Sequence, residues 1–281
     1  MAKIKVKDDL DLYRIAYSGQ CFRWEALPVL GDEPAKYRIP AFGKCLIVSQ
    51  PSKDCIETDC TEEEFGDLWY DYLDLGTSYK KIRTLVDKDE DPFMADAAAS
   101  CVGLRILRQD PWETLISFII SQNRNIPAIK RSIELLCERA GKRSKDSEGN
   151  AYYSFPGPED ILSLSDEKLS ECRLGYRDVY LRNAARAVID GDLDLDAVSE
   201  KLADEAISEL MKIKGVGLKV ASCVTLFGLH KLDAFPVDVW IKRVLENEYP
   251  NGYPKEKYSP YNGVYQQYMF EYYRKKDGER K

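Results

Sequence analysis

The sequence predicts an α+β protein in which an antiparallel β-sheet region with helices, residues 1–104, precedes an all-helical region, residues 105–281. Three observations carry this expectation. Alternating, strand-like patterns occur only in the first hundred residues. Beyond about residue 105, apolar positions recur at helical spacing. The helical stretches there are bounded by recognisable start and stop residues.

In the first region, Cys21-Phe-Arg-Trp-Glu25 alternates in polarity, and Phe42-Gly-Lys-Cys-Leu-Ile-Val-Ser49 reads as a partly buried strand. Thr61-Glu-Glu-Glu64 is a capping box opening a helix that carries Phe65, Leu68, Trp69 and Tyr72 on one side. In the second region, Asp110, Pro111 and Glu113 supply an N-cap, an N1 proline and an N3 acid ahead of the apolar run 115–120. Asn125 begins another helix, with Ile126, Ile129, Ile133 and Leu136 expected to face inward. Gly141 ends it, and 142–153 reads as an exposed polar loop. Further helices are expected over 179–189, stopped by Gly191, and over 203–213. No internal repeat or low-complexity tract is visible.

Apolar residues at 44% and charged residues at 32% suit a globular chain of 281 residues. No apolar run reaches bilayer length, and Met1-Ala-Lys-Ile-Lys-Val-Lys7 lacks the apolar stretch of a signal peptide, so a cytosolic protein is expected. The eight cysteines form no CxxC pair, and His230, the one histidine, stands at no recognised metal spacing from them. Reduced, mostly buried thiols are the favoured reading. The formal charge of −7 disfavours an anionic partner at long range, but a binding face needs only local positive potential. Basic residues do gather at Arg124, Lys130, Arg131, Arg139, Lys142, Arg143 and Lys145, and again at Arg173, Arg177, Arg182 and Arg186. Such runs are usually solvated helix faces; they permit nucleic-acid binding without requiring it.

The informative stretch is Leu210-Met-Lys-Ile-Lys-Gly215-Val-Gly217-Leu-Lys219-Val-Ala-Ser-Cys223. One helical pattern ends at Gly215 and another begins at Leu218, leaving a tight turn. Glycines at both positions allow backbone dihedrals closed to other residues and a close approach of another backbone. The free N–H groups of the second helix can then bind a phosphate without a basic side chain. A helix pair that only packs a core is the plainer alternative. Two residues weigh against it. Lys219 lies in the first turn, where a cation opposes the helix dipole; that field and the apolar neighbours Val220 and Leu226 favour the neutral amine that a nucleophile needs. Asp238, in Phe235-Pro-Val-Asp238-Val-Trp240, follows a proline and precedes a helical pattern, the place of an N-cap and usually a structural one; taken together with Lys219, a catalytic carboxylate is the alternative.

Gly215-Val-Gly217-Leu-Lys219-Val-Ala followed by Pro236-Val-Asp238 resembles the helix-hairpin-helix (HhH-GPD) DNA glycosylase superfamily, and within it the 8-oxoguanine DNA glycosylase/AP lyase branch. The resemblance runs from about Gly19 to Phe270 and is closest to shorter bacterial-type members. It implies a helix-hairpin-helix glycosylase core, with the hairpin over about 203–228, and a flipped lesion base read in a pocket. Lys219 and Asp238 match the catalytic pair. Gly19 matches the residue whose carbonyl accepts a hydrogen bond from N7–H of 8-oxoguanine; guanine itself has an acceptor at N7 and is repelled. Cys223 and Phe270 match the residues that sandwich the base, and Gln266 the reader of its Watson–Crick edge. Asn123 matches the residue that fills the vacated space, Arg177 a contact to the orphaned cytosine, and Tyr176 the wedge beside it.

Two positions depart from the eukaryotic pattern. Ala128 stands where a second cytosine-reading arginine is expected, which implies weaker selectivity for the opposite base. Trp240 replaces a histidine near the lesion's phosphate, so that DNA contact is altered. No cysteine follows Cys223, which excludes the four-cysteine iron–sulfur loop of endonuclease III and the adenine glycosylases. Lys219 argues against the monofunctional alkyladenine glycosylases. The resemblance thus implies an enzyme that binds duplex DNA containing oxidised guanine, acts as a monomer and needs no cofactor, with a structural cation at the hairpin carbonyls left open. A related glycosylase for another lesion, or a non-catalytic DNA-binding hairpin module, are the alternatives.

Overall fold

The computed structural model describes residues 2–31 and 33–279. Near the N-terminus come β1 (Ala2–Lys5), α1 (Leu12–Tyr17), β2 (Glu25–Leu27), β3 (Lys36–Ala41), β4 (Lys44–Ser52) and β5 (Cys55–Thr58). The strands form one antiparallel sheet in the order β1-β5-β4-β3-β2. One face is inward: Tyr37, Ile39, Leu46, Val48 and Ile56 are buried, and Phe65, Trp69 and Tyr72 belong to the same core.

Two strand expectations shift. Phe42 and Gly43 are the two-residue turn between β3 and β4, both at positive φ (50° and 74°), so the strand starts at Lys44. Cys21 to Trp24 are buried but unpaired with a neighbouring strand; pairing starts at Glu25, opposite Arg38. Side chains hold that stretch instead, with Trp24 Nε1 donating to Tyr72 Oη at 2.8 Å and Arg23 donating to the Tyr153 carbonyl.

The Thr61 hydroxyl accepts from Glu64 N–H at 3.1 Å and starts a helical stretch built of α2 (Glu62–Glu64), a π-helical turn (Phe65–Trp69) and α3 (Tyr70–Tyr72). Then come α4 (Tyr79–Thr84), α5 (Pro92–Ser100), α6 (Pro111–Ser121) and α7 (Ile126–Ala140). Asp110 and Asn125 cap α6 and α7, accepting from Glu113 N–H at 2.7 Å and Ala128 N–H at 3.0 Å. On α7, Ile129, Ile133 and Leu136 are buried, but Ile126 is 38% exposed, because the first turn overhangs the core. The stretch 142–153 is a β-hairpin rather than a loop, β6 (Arg143–Lys145) paired with β7 (Ala151–Tyr153). Buried Asp146 holds its turn by accepting from Glu148 and Asn150 N–H and pairs with Arg38 at 3.1 Å, anchoring the hairpin to the sheet. That pairing is backbone to backbone, so a polar sequence conceals it.

The remaining elements are α8 (Pro158–Ser163), α9 (Asp166–Glu171), α10 (Arg177–Ile189), α11 (Leu195–Ser199), α12 (Ala203–Leu210), α13 (Leu218–Phe227), α14 (Val239–Glu248), α15 (Lys255–Tyr258) and α16 (Asn262–Glu279). Several are single turns, too short to show a period in the sequence. α13 packs against α6 and α12. α16 packs on α14 and returns to α5, where Cys101 Sγ meets the Tyr268 carbonyl at 3.6 Å. All eight cysteines are free, five of them buried. Among the described residues no helix is long and apolar enough to cross a membrane.

Candidate active site

The turn between α12 and α13 makes unequal demands on its glycines. Gly215 has φ +101°, and a Cβ there would stand 2.3 Å from Tyr180 Cγ, so both conformation and space require glycine. Gly217 caps α13 in extended conformation (φ −92°, ψ 174°), and a Cβ there would meet nothing within 4 Å. The expectation of special dihedrals at both glycines therefore holds only for Gly215; Gly217 leaves an open face. The Gly215 carbonyl accepts from Gln122 Nε2 at 3.0 Å, which ties the turn to the segment after α6.

Lys219 is the second residue of α13 and is exposed. Its Nζ lies 5.4 Å from the centre of the Phe118 ring, and among the described residues it makes no hydrogen bond or ion pair. Asp238 does cap α14. Its Oδ1 accepts from both Trp240 N–H (3.0 Å) and Ile241 N–H (2.9 Å), leaving Oδ2 without a donor among the described residues. Lys219 and Asp238 line one cleft of about 580 Å³, together with Gln122, Asn123 and Gly217. Cys223, one turn beyond Lys219 and buried, lies within reach of both charges. Burial pushes its thiol up to about 11; Lys219 draws it down and Asp238 pushes it up.

The segment after α6 forms the facing rim. Asn123 is held at φ +52°, a conformation uncommon outside glycine, and donates from Nδ2 to Tyr176 Oη at 3.2 Å. The Tyr176 ring is 51% exposed and lies over the Arg177 guanidinium, 4.4 Å from ring centre to Cζ. Arg177 itself is buried. Its Nε (2.8 Å) and Nη2 donate to the Gln122 carbonyl and its Nη1 to the Leu174 carbonyl at 2.9 Å. Trp240 is half-buried at the start of α14, with the Arg243 guanidinium 5.2 Å from its ring centre.

The residues expected to hold the base come from three parts of the chain. Gly19 follows α1 at φ +79°, and a Cβ there would touch the Phe270 ring at 3.8 Å, so the two positions face each other directly. The Gly19 carbonyl accepts no hydrogen bond among the described residues. Neighbouring Gln20 pins the turn by donating to the Arg105 carbonyl (2.8 Å) and accepting from Leu107 N–H (2.8 Å). Gln266 is buried one helical turn before Phe270 on α16 and accepts from Gln267 Nε2 at 3.0 Å.

The sequence reading missed four supporting residues: Gln122, which links turn and rim; Phe118, beneath Lys219; Lys242, which also lines the cleft; and Arg274, whose guanidinium lies 5.1 Å from the Phe270 ring centre. Helical spacing could have found two of them, since Lys242 follows Asp238 and Arg274 follows Phe270 by four residues. Gln122 and Phe118 meet their partners only through tertiary packing.

Residues 3–115 match the family model of the 8-oxoguanine DNA glycosylase N-terminal domain, and residues 116–258 match that of the HhH-GPD superfamily of base excision DNA repair proteins. The chain belongs to the HhH-GPD superfamily. This HhH-GPD protein is 32% identical over 285 residues to the N-glycosylase/DNA lyase of Saccharomyces cerevisiae, covering 92% of this chain and 74% of the yeast protein. It is similar to the Clostridium acetobutylicum 8-oxoguanine glycosylase/lyase, solved with double-stranded DNA containing cytosine opposite 8-oxoG (TM-score 0.87, 33% identity, 99% of each chain). It also resembles MBOgg1, solved with a low-affinity DNA ligand (TM-score 0.89, 37% identity, 98% of this chain and 96% of that one).

Proposed function

We propose that this HhH-GPD protein is a bifunctional DNA glycosylase/AP lyase of base excision repair, which extrudes and excises 8-oxoguanine from duplex DNA and nicks the strand. One observation carries the reading: a lysine unpaired among the described residues and a carboxylate with one oxygen left free by them line the same cleft beside the glycine hairpin. The likeness to 8-oxoguanine glycosylase/lyases supports the choice of lesion.

The Lys219 amine attacks C1′ of the extruded nucleotide, and the glycosidic electron pair leaves with the base, which takes up a proton. The sugar ring opens to a Schiff base on Lys219; loss of a C2′ proton then expels the 3′ phosphate. The Asp238 carboxylate supports the positive charge that develops on the deoxyribose. Gly19 presents its free carbonyl to N7–H of the oxidised base, between Cys223 and Phe270, while Gln266 reads its pairing edge. Asn123 and Tyr176 enter the stack, and Gly215, Gly217 and Trp240 lie against the backbone. Arg177 contributes by holding the Asn123 segment through the Gln122 carbonyl. The enzyme works as a monomer, in the cytoplasm or on the nucleoid, and Schiff-base chemistry asks for no cofactor. A structural cation on the hairpin carbonyls would compete with Gln122 for that of Gly215.

Borohydride reduction during reaction with an 8-oxoguanine duplex tests this reading. A covalent protein–DNA adduct is expected from the unaltered chain and none from Lys219→Gln; an equal adduct from both overturns the mechanism. With the lesion placed opposite each of the four bases, excision should favour cytosine only modestly, because the Ala128 methyl group offers no donor.

A further inference from the structure

We propose that Val237, Val239 and Lys242 form a grip for the sugar–phosphate backbone of the lesion strand, with Lys242 holding a phosphodiester beside the extruded nucleotide. This rests on the glycosylase reading of the same cleft. Three cations line that cleft, Arg124, Lys219 and Lys242, and Asp238 is the one carboxylate among its described lining residues. The balance there is positive in a chain of formal charge −7.

The three cations are not equivalent. Lys219 must be neutral when it attacks, so it cannot serve as a lasting counter-ion to phosphate. Arg124 is committed to Ser132, donating from Nη1 to the hydroxyl at 2.8 Å. Lys242 is 73% exposed, and its ion pair is with Glu246 at 3.9 Å, itself 61% exposed. Such a pair is weak and exchanges readily for a phosphate. Lys242 also stands one helical turn from Asp238, its N–H donating to the Asp238 carbonyl at 2.8 Å, so it shares the catalytic side of α14. Beside it, Val237 is 44% exposed and Val239 68% exposed. Two apolar side chains left open at the mouth of a cationic cleft suit the apolar faces of deoxyribose between phosphates.

The test is binding to a duplex carrying a tetrahydrofuran abasic analogue, which cannot form a Schiff base, followed by fluorescence anisotropy over a series of salt concentrations. Lys242→Ala is expected to weaken binding about tenfold at low salt and to reduce the slope of log affinity against log salt by about 0.9, one phosphate contact. Lys242→Glu should weaken binding further, and Lys242→Arg should restore both affinity and slope. Val239→Ser should weaken binding with the slope unchanged. Slopes for Lys242→Ala and Lys242→Glu equal to that of the unaltered protein overturn the proposal, and an unchanged melting temperature excludes misfolding as the cause of any loss. Failure of the underlying glycosylase reading would appear elsewhere, as the absence of a borohydride-trapped adduct with the unaltered chain.

Discussion

At the residue scale, Asp238 has an oxygen for each of the two roles that the sequence left as alternatives, because a carboxylate has two. Oδ1 caps α14 and Oδ2 remains for the cleft. Two substitutions separate them. Asp238→Asn keeps an oxygen for the cap, so the melting temperature should hold while single-turnover excision slows about 10²–10³-fold, the cost of removing a stabilising charge. Asp238→Ala should lose the same activity and also about 1 kcal/mol of stability with the cap. Retained excision by Asp238→Asn would rule out a chemical role. Arg177 poses a similar choice. Its guanidinium satisfies two backbone carbonyls, so Arg177→Ala should destabilise the fold by about 1–3 kcal/mol, the cost of leaving buried acceptors unpaired. Denaturant titration measures this; unchanged stability with altered opposite-base choice would instead make Arg177 a direct reader of DNA.

At the element scale, the hairpin works because one glycine shapes it and the other keeps it open. Gly215→Ala combines a left-handed φ with a collision against Tyr180 and should cost about 1–3 kcal/mol, together with DNA affinity. Gly217→Ala meets neither obstacle and should leave stability within about 0.5 kcal/mol. If Gly217→Ala still weakens DNA binding, the added methyl lies where the DNA backbone approaches. Equal destabilisation by the two substitutions, read from melting curves, would contradict this division. The same hairpin is braced from outside by Gln122, and hydrogen bonds link the turn, the segment after α6, Tyr176 and Arg177.

At the scale of the whole molecule, Glu113 sits where sheet and helices join. It lies at the start of α6, and its side chain is 17% exposed and 3.4 Å from Arg23, which also reaches the Tyr153 carbonyl on β7. Burial pushes its carboxyl from 4.5 up to about 7, and Arg23 offsets this only in part. The folded state thus holds this proton more tightly than the unfolded one. Its contribution is complete below the unfolded value and is lost as pH rises through the folded value. Stability should fall across about pH 5 to 8 by on the order of 2 kcal/mol from this group, and Glu113→Gln should flatten that stretch. Urea titrations at stepped pH measure it; an unaltered slope in the variant removes Glu113 as the source.

How much was legible in advance follows from how far apart the partners lie. The helix starts at Asp110, Asn125 and Asp238 were readable because a cap bonds two or three residues onward. The chain by itself also determined the glycine turn, the lysine after it and the lack of a cysteine between Asp238 and Lys281, all of them local patterns. Single-turn helices and the 143–153 hairpin escaped, the first for want of a period and the second because its pairing is carried by backbone. Only the tertiary structure decided that Gly19 faces Phe270, that Gln122 holds Gly215, that Arg177 is buried and that Lys219, Asp238 and Lys242 share a cleft. Those pairings join residues separated along the chain, and closing such loops is favourable only when the packed core supplies the free energy. A local pattern can name a candidate residue, but its partner is chosen by the fold.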